Sequence, residues 1–582
     1  MVVNVIQTFD SPLDSLINAD TALFFIADEQ LGVSDGTSAG TLILSPDGDG
    51  EEYEGSNGRV FFDGFTSASG EEPFVNNGTP NGTILLKDIN PIANETSDPL
   101  NFFSVGNVVY FTAFSEANGV ALYISNGTPE GTRLVADIDE AVNTSSPFNE
   151  FVDFNGTLYF TGANVGNTRA IWRSDGTATG TQVVSSFEFS NSLDNLTATE
   201  ENLYFTRNVS GGEFWVTNGT AESTQLLLKS NISNPTSVGN TLYFSNDGGS
   251  TGRELWKSDG TAEGTQLVLD ILPEQRRNGT PINNGSNPED LIDVNGTLFF
   301  TADDGENGRA LWKSDGTAEG TQLVADIDES TSSNSLVSNF TAIGDTLYFV
   351  QNTGFNNNLL WQSDGTAEGT FVIEPEEINL GGSTTPSFTD PNQLIELEGE
   401  LYFTGEAYDR QTGNYVPALL TLEDVDETTV YRLYNPELGV HFYTTDIAER
   451  DEFTASGSYQ SEGASYRSVE PSIEASEEVY RFFNETTGVY LYTTDENERE
   501  NIQTNIPNFT FEGAVFNAYE TQVEGSIPIY RFYEPTIGVH LYTPSEVERD
   551  SVQANLPNYN FEGIAYYALP LETQGSVSAA AV

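Results

Sequence analysis

The residues best placed to bind a metal lie near the N-terminus, where Asp47, Asp49 and Glu51 alternate with glycines. Ca²⁺ takes about six to eight oxygen ligands from carboxylates and carbonyls, and a glycine-rich loop can fold around it. The pattern therefore predicts a Ca²⁺ site at Asp47, Asp49 and Glu51. The alternative is a solvated acidic loop, because a chain with 88 acidic residues also forms such clusters by chance.

A second set of candidate side chains recurs three times in the last quarter of the chain. Each copy has a strand with an aromatic-arginine pair, then a strand of the type Gly-Val-His-x-Tyr-Thr, a short acidic helix and a third strand near Glu-Gly. Aromatic rings beside an arginine and a histidine suit a sugar or an anionic glycan, and three weak sites gain by multivalency. The predicted ligand-binding residues are Tyr431, Arg432, His441, Tyr443, Arg481, Tyr490, Tyr492, Arg531, His540 and Tyr542.

A structural role competes with this interpretation. The copies also share a glutamate beside the glycine of the third strand, at positions 462, 512 and 562. An arginine that is buried in a strand must be neutralised, so each arginine is also expected to pair with the glutamate of its own copy. In that case the arginines hold the fold together and bind no ligand.

The sequence argues against an enzyme. It contains no cysteine, and its two histidines occupy equivalent positions in duplicated units, whereas a hydrolase triad needs one unique arrangement. No pair of carboxylates stands out from the repeats as a glycosidase pair would. We therefore expect a binding or structural protein, with no catalytic residues.

The elements that precede the three copies are a longer repeat. Turns of the Ser-Asp-Gly-Thr type recur every 41 to 56 residues, and strands of the Leu-Tyr-Phe type recur nine times. Repeats of that length made of strands and turns predict an all-β fold with a β-propeller. Nine blades are favoured, with residues 2–9 supplying the last strand, and eight remain possible. The turn glycines are 36, 78, 127, 176, 219, 260, 316 and 365.

All five tryptophans occupy one position of this repeat. A ring of sugar-stacking platforms is one interpretation, but burial between blades is favoured because a repeat core demands the same large side chain in each unit. The tryptophans are Trp172, Trp215, Trp256, Trp312 and Trp361.

Both repeats resemble known families. The segment Glu254-Leu-Trp-Lys-Ser-Asp-Gly-Thr-Ala-Glu-Gly-Thr265 is similar to propeller repeats of large secreted and surface proteins of bacteria. The three copies that start at Val430, Val479 and Ile529 resemble a Tyr-Arg-x-Tyr-Asn-x-x-x-Gly-x-His-x-Tyr-Thr family of secreted proteins. These resemblances imply a non-enzymatic extracellular scaffold that carries a small pseudo-threefold β-rich binding module with short helices.

Charge and composition limit the partners. The 21 basic and 88 acidic residues give a net charge of −67, which disfavours nucleic acid and anionic lipid surfaces, and no apolar stretch is long enough for membrane insertion. The start has no secretory signal pattern. We expect an extracellular or cell-surface protein that leaves by a leaderless, type I-like route, with the tail 573–582 as its signal.

These observations predict a propeller at residues 1–425 and a three-repeat module at 428–572. The expected function is adhesion or carbohydrate binding, with the propeller as platform and the module as the ligand-binding head. The alternative is a Ca²⁺-dependent structural subunit of an extracellular layer, sheath or filament. The partner would be a glycan or surface polymer in the first case and other protein subunits in the second.

Overall fold

The chain was analysed as a computed structural model. It divides into two compact units, residues 2–423 and residues 424 onward. The structure describes all residues except 1, 39, 46–49, 51, 93–94, 139–147, 165–167, 189–191, 274, 278–279, 283–284, 328–335, 354–357, 376, 380–383, 410–411, 424–427, 437, 447–448, 451–452, 455–457, 470–472, 474, 524, 537 and 572–582.

The first unit is a β-propeller. Its described residues form nine four-stranded antiparallel sheets. The first strand of each sheet lies against the first strand of the next, and the last sheet lies against the first, so the sheets close into a ring. The first strands are Leu13–Asn18 (β2), Tyr53–Ser56 (β6), Leu100–Val105 (β10), Phe148–Phe154 (β14), Leu193–Ala198 (β18), Ile232–Val238 (β22), Glu289–Val294 (β28), Leu336–Ile343 (β32) and Phe388–Leu397 (β38).

The second strands contain the Leu-Tyr-Phe motif that recurs in the sequence. They are largely buried, because they lie inside the sheets with a neighbouring strand on each side. The second strands are Leu23–Ala27 (β3), Arg59–Thr66 (β7), Val108–Ser115 (β11), Thr157–Asn164 (β15), Leu203–Arg207 (β19), Thr241–Asp247 (β23), Thr297–Asp303 (β29), Thr346–Asn352 (β33) and Glu400–Asp409 (β39).

In the first eight sheets the third strand leads into a turn of the Ser-Asp-Gly-Thr type. The Asp175 carboxylate accepts hydrogen bonds from the backbone N–H and the hydroxyl of Thr177, at 2.9 and 2.7 Å, and these bonds lower the pKa of Asp175. The turn aspartate is therefore a turn former. The third strands are Gln30–Ser34 (β4), Gly70–Asn76 (β8), Gly119–Ser125 (β12), Thr168–Ser174 (β16), Glu213–Thr217 (β20), Arg253–Ser258 (β24), Arg309–Ser314 (β30), Leu359–Ser363 (β34) and Asn414–Glu423 (β40).

The outermost strand of the last sheet comes from the N-terminus of the chain. Residues Val2–Thr8 (β1) pair antiparallel with β40, as the sequence predicts for residues 2–9. The other fourth strands are Leu42–Ser45 (β5), Ile84–Leu85 (β9), Arg133–Ala136 (β13), Gln182–Phe187 (β17), Gln225–Leu228 (β21), Gln266–Leu269 (β25), Gln322–Ala325 (β31) and Phe371–Val372 (β35), and two hairpins join Gln275–Arg277 (β26) to Thr280–Ile282 (β27) and Glu377–Asn379 (β36) to Thr384–Pro386 (β37).

Apolar side chains hold neighbouring sheets together. Each pair of adjacent sheets shares one buried hydrophobic cluster, including the pair that closes the ring. The tryptophans belong to these interfaces: Trp172 packs against the cluster shared by the third and fourth sheets, and Trp312 is 9% exposed. Their position in the repeat is therefore explained by packing.

Several turn glycines are required by close packing as well as by backbone conformation. Gly36 has φ +86°, and a Cβ there would collide with the hydroxyl of Tyr402 from the last sheet. Gly219 and Gly316 meet Tyr159 and Tyr243 of their preceding sheets in the same way. A larger residue would thus be strained in itself and would also push two sheets apart.

The second unit consists of three copies of three antiparallel strands; the first copy is a sheet of its own, and the third strands of the second and third copies pair, so that these two copies form one six-stranded sheet. Together with the propeller it confirms the all-β class. Residues 449–450 and 453–454 are helical in the first copy, and full helices span Glu496–Asn505 and Glu546–Asn555 in the others. The strands are Thr429–Asn435 (β41), Val440–Thr444 (β42) and Gln460–Arg467 (β43); Ser476–Asn484 (β44), Val489–Thr493 (β45) and Phe509–Tyr519 (β46); and Ile527–Glu534 (β47), Val539–Thr543 (β48) and Asn560–Ala568 (β49).

Candidate ligand-binding module

Three tyrosines at equivalent positions, Tyr443, Tyr492 and Tyr542, join the three copies at their centre. The Tyr492 hydroxyl accepts a hydrogen bond from the Tyr443 backbone N–H and donates one to the Tyr443 carbonyl, both at 2.9 Å. Tyr542 contacts Tyr492 in the same way, at 3.0 and 2.7 Å, and the Tyr443 hydroxyl donates to the Tyr542 carbonyl. The hydroxyls therefore tie the second strands of the copies into a closed ring.

This ring corrects part of the predicted ligand site. Tyr443 and Tyr492 are 0% exposed, and Tyr542 and Tyr431 are 1% exposed. Burial raises the pKa of all three ring tyrosines, so they stay neutral donors. The four tyrosines belong to the core and do not reach a ligand at the surface. The Tyr-Thr motif of the three ring tyrosines is equally consistent with core residues, because pseudo-threefold symmetry repeats the residues that pack around its axis.

The arginines of the first strands also join the copies, through ion pairs with glutamates. Arg481 binds Glu449 of the preceding copy with two hydrogen bonds of 2.8 and 2.6 Å, and its Nε binds Glu512 of its own copy at 2.7 Å. Arg531 repeats this arrangement with Glu498 and Glu562. Each of these arginines is thus held between two carboxylates.

The third arginine closes the same cycle. Arg432 binds Glu462 of its own copy at 2.6 Å and Glu548 of the last copy at 2.7 Å. The predicted pairing with the glutamate of the third strand is therefore present in every copy. The three arginines are largely buried and already neutralised, which leaves them no free charge for an anionic glycan.

The second glutamate of each pair was missed by the sequence reasoning. Glu449, Glu498 and Glu548 lie in the first turn of the helical segments, and their backbone N–H groups bond the preceding cap residues Asp446, Asp495 and Ser545. Their spacing of 49 and 50 residues equals that of the arginines. That equality was an available signal, but spacing alone does not show that the bond crosses between copies.

Burial and charge determine how these carboxylates titrate. Burial of Glu498 acts to raise its pKa, but its hydrogen bonds to Arg531 and Thr493 and the Arg531 charge outweigh burial and lower the pKa below its usual value. Glu462 is lowered in the same way by His441 and Arg432. Both carboxylates therefore stay ionised in the folded module.

The two histidines and Tyr490 lie on the second strands of the copies, near the arginines of the first strands. His441 lies 3.2 Å from the Glu462 carboxylate and its ring contacts Tyr434. His540 is 11% exposed, and burial, followed by the Arg531 charge, lowers its pKa to about 4. Tyr490 packs on Phe442 of the preceding copy. The structure thus brings the predicted polar groups together, but these groups contact other residues of the module instead of facing an open ligand site.

The predicted calcium ligands Asp47, Asp49 and Glu51 lie outside the described residues. Within the described part of the chain, no group of three or more histidine or acidic side chains is arranged to hold a metal ion. The calcium site stays a prediction from the sequence.

Comparison with solved structures finds propeller proteins. A solved structure of the eukaryotic initiation factor is 11% identical to this chain, with a TM-score of 0.43. The match covers 61% of this chain and 86% of that one. For the β-propeller domain of the Trilobed protease from Pyrococcus furiosus the identity is 11%, the TM-score 0.32 and the coverage 64% and 100%. The chain spans 55 to 60% of the length of the peptidase and hydrolase structures that it matches. One of them is oligopeptidase B from Leishmania major, at 10% identity, a TM-score of 0.37 and 72% coverage of this chain.

Comparison with curated proteins finds no match. One family matches the C-terminal unit, the Domain of unknown function (DUF5648), over residues 429–569. The matched range begins at the first residue of β41 and ends one residue after β49. The three copies joined by the tyrosine ring are therefore the part of the chain that is similar to the DUF5648 family.

Proposed function

We propose that this protein is a non-enzymatic adhesion protein of the cell exterior, with the propeller as platform and the C-terminal module as a carbohydrate-binding head. One observation carries the proposal: the polar residues that an enzyme would need are used in threefold contacts between copies. Arg432, for example, binds Glu462 of its own copy and Glu548 of the last copy, and His441 lies 3.2 Å from Glu462. A module whose charged groups stabilise the contacts of its repeats is rigid, and a rigid module is suited to presenting a binding surface to a ligand.

The exterior location is part of this proposal. It is supported by the net charge of −67 and by the resemblance of both repeats to secreted proteins. No helix in the part of the chain that the structure describes is long and apolar enough to cross a membrane.

The test is retention of the purified full chain on insoluble polysaccharides, followed by analysis of the polysaccharide for new reducing ends. The proposal expects saturable retention without cleavage. Release of reducing ends would identify an enzyme and contradict it.

A calcium-linked structural subunit is the second candidate, favoured by the 88 acidic residues that could be cross-linked by a divalent cation. Light scattering of the same protein with added Ca²⁺ separates the two candidates. Large assemblies that a chelator dissolves, without retention on any polysaccharide, would favour the structural subunit.

A further inference from the structure

Two phenylalanines of the module are exposed although the aromatic rings that they pack against are buried. Phe511 is 36% exposed and Phe561 is 42% exposed. They occupy equivalent positions, two residues before the glycine of the third strand in the second and third copies. A ring that is exposed at the same place in two copies and packs with further aromatic rings is a candidate contact site, because exposed apolar patches mark binding surfaces.

Each exposed ring is fixed by other aromatic rings. Phe511 packs against Phe482 at 5.0 Å and Tyr480 at 6.0 Å between centroids. Phe561 packs against Phe532 at 5.0 Å and Tyr530 at 6.2 Å. Because these residues lie on paired strands, the rings form a preorganised surface, and binding there would lose little conformational entropy. We call each group an aromatic platform.

Charged groups are held at the edge of both platforms. The Arg499 guanidinium lies 4.7 Å from the centroid of the Tyr480 ring and binds Glu496 at 2.7 Å. The Tyr480 hydroxyl donates to the same glutamate at 3.0 Å.

The second platform repeats this edge. Arg549 lies 4.6 Å from the centroid of the Tyr530 ring, and the Tyr530 hydroxyl donates to Glu546. The carboxylates remain accessible, since the side chains of Glu496 and Glu546 are 60% and 71% exposed. Each platform thus combines an apolar ring with a fixed donor and an accessible acceptor.

We infer that the two platforms are the carbohydrate-binding surface of the module, and that they take a neutral polysaccharide. The C–H face of a pyranose ring can stack on the phenylalanine while its hydroxyls reach the glutamate and the arginine. The arginines are paired with carboxylates and the chain carries a net charge of −67, so an anionic glycan is repelled.

The first copy differs in a way that limits the valence. Its equivalent position is Ser461, and the Tyr431 beside it is 1% exposed. The module therefore presents two platforms, and two contacts with one polymer chain increase the apparent affinity by multivalency. This inference rests on the proposed carbohydrate-binding function and replaces the residues that the sequence analysis assigned to the ligand.

The experiment measures binding of the full chain to cellulose, chitin, insoluble starch and heparin-agarose. The variants are Phe511→Leu, Phe561→Leu and the double variant, since leucine keeps the apolar packing but removes the ring. Phe371→Leu is the matched control, because Phe371 is 43% exposed in the propeller. We expect retention on at least one neutral matrix, a loss of about twofold to tenfold in affinity for each single variant, a larger loss for the double variant and no change for the control.

The other outcomes contradict the inference at different points. Binding of the double variant like the wild type would overturn the platforms but leave carbohydrate binding in place. Retention on heparin-agarose alone would overturn the neutral class of ligand. Failure to bind any of the four matrices would overturn both the inference and the proposed function, and self-association that the double variant abolishes would assign the platforms to a second copy of the chain.

Discussion

The propeller and the C-terminal module are both built from repeats, but different forces join their repeats. In the propeller, each pair of adjacent sheets shares a buried apolar cluster, and an ion pair such as Arg207–Glu213 lies within one sheet. In the module, an apolar core is supplemented by tyrosine hydroxyls and Arg–Glu pairs that cross between copies. Many apolar interfaces tolerate single changes, whereas a closed cycle of three depends on every polar contact.

The largest expected effect comes from removing one arginine of the cycle. Arg481→Met leaves Glu449 and Glu512 as uncompensated, partly buried charges, so we expect the module to lose about 3 kcal/mol of unfolding free energy. Arg207→Met is the control, because it removes an ion pair within one propeller sheet and leaves a single carboxylate, Glu213, which keeps its hydrogen bond from Trp215, so we expect a smaller loss of about 2 kcal/mol. Urea unfolding of both variants measures the difference, and equal losses would show that crossing between copies does not matter.

The tyrosine ring gives the next effect. Tyr492→Phe removes the hydroxyl that serves both the N–H and the carbonyl of Tyr443 and leaves two buried polar groups without their partner. We expect a loss of about 2 kcal/mol in the module. Tyr402→Phe, which removes a hydroxyl at a propeller interface, should cost less. The comparison is wrong if thermal unfolding shifts more for Tyr402→Phe.

Acid distinguishes the two regions through His540. Its folded pKa of about 4 lies below the usual 6.5, so between these values the unfolded chain binds a proton that the folded module does not. The stabilisation is complete above pH 6.5 and is lost as the pH falls towards 4, by about 2 kcal/mol at pH 5. His540→Gln should remove this part of the pH dependence in denaturant titrations at pH 7 and 5. An unchanged dependence would mean that His540 is not the titrating group.

The smallest effect concerns the propeller alone. Gly36→Ala and Gly106→Ala both force alanine to a positive φ, but a Cβ at Gly36 collides with Tyr402 whereas the space at Gly106 is open. We expect Gly36→Ala to cost about 1 kcal/mol more than Gly106→Ala, seen as a lower melting temperature of the propeller. Equal melting temperatures would show that the ring absorbs the contact by a small shift.

The repeats could be predicted from the sequence because turns and strand motifs are local. The nine Leu-Tyr-Phe segments lie on the second strands of the nine described sheets, and the N-terminal strand was expected beside the last one. The site could not be predicted in the same way. The Tyr-Thr motif has the same sequence whether Tyr443 faces a ligand or the Tyr542 carbonyl, and the Glu449 partner of Arg481 lies 32 residues away in another copy. The position of Phe511 gives no threefold signal in the sequence, because the equivalent residue of the first copy is Ser461.

The most direct test of the comparison is hydrogen–deuterium exchange of the full chain at pH 7 and at pH 5, corrected for intrinsic exchange. The lowered pKa of His540 means that acid weakens the module, and acid also removes charge from Glu462 and Glu498 once the pH falls below 4.5 towards their lowered pKa values. In the propeller, burial raises the pKa of Glu72 and Glu254, so protonation there relieves a penalty. The account predicts faster exchange at pH 5 in strands β41–β49 and unchanged or slower exchange in β1–β40. Equal acceleration in both regions would contradict it.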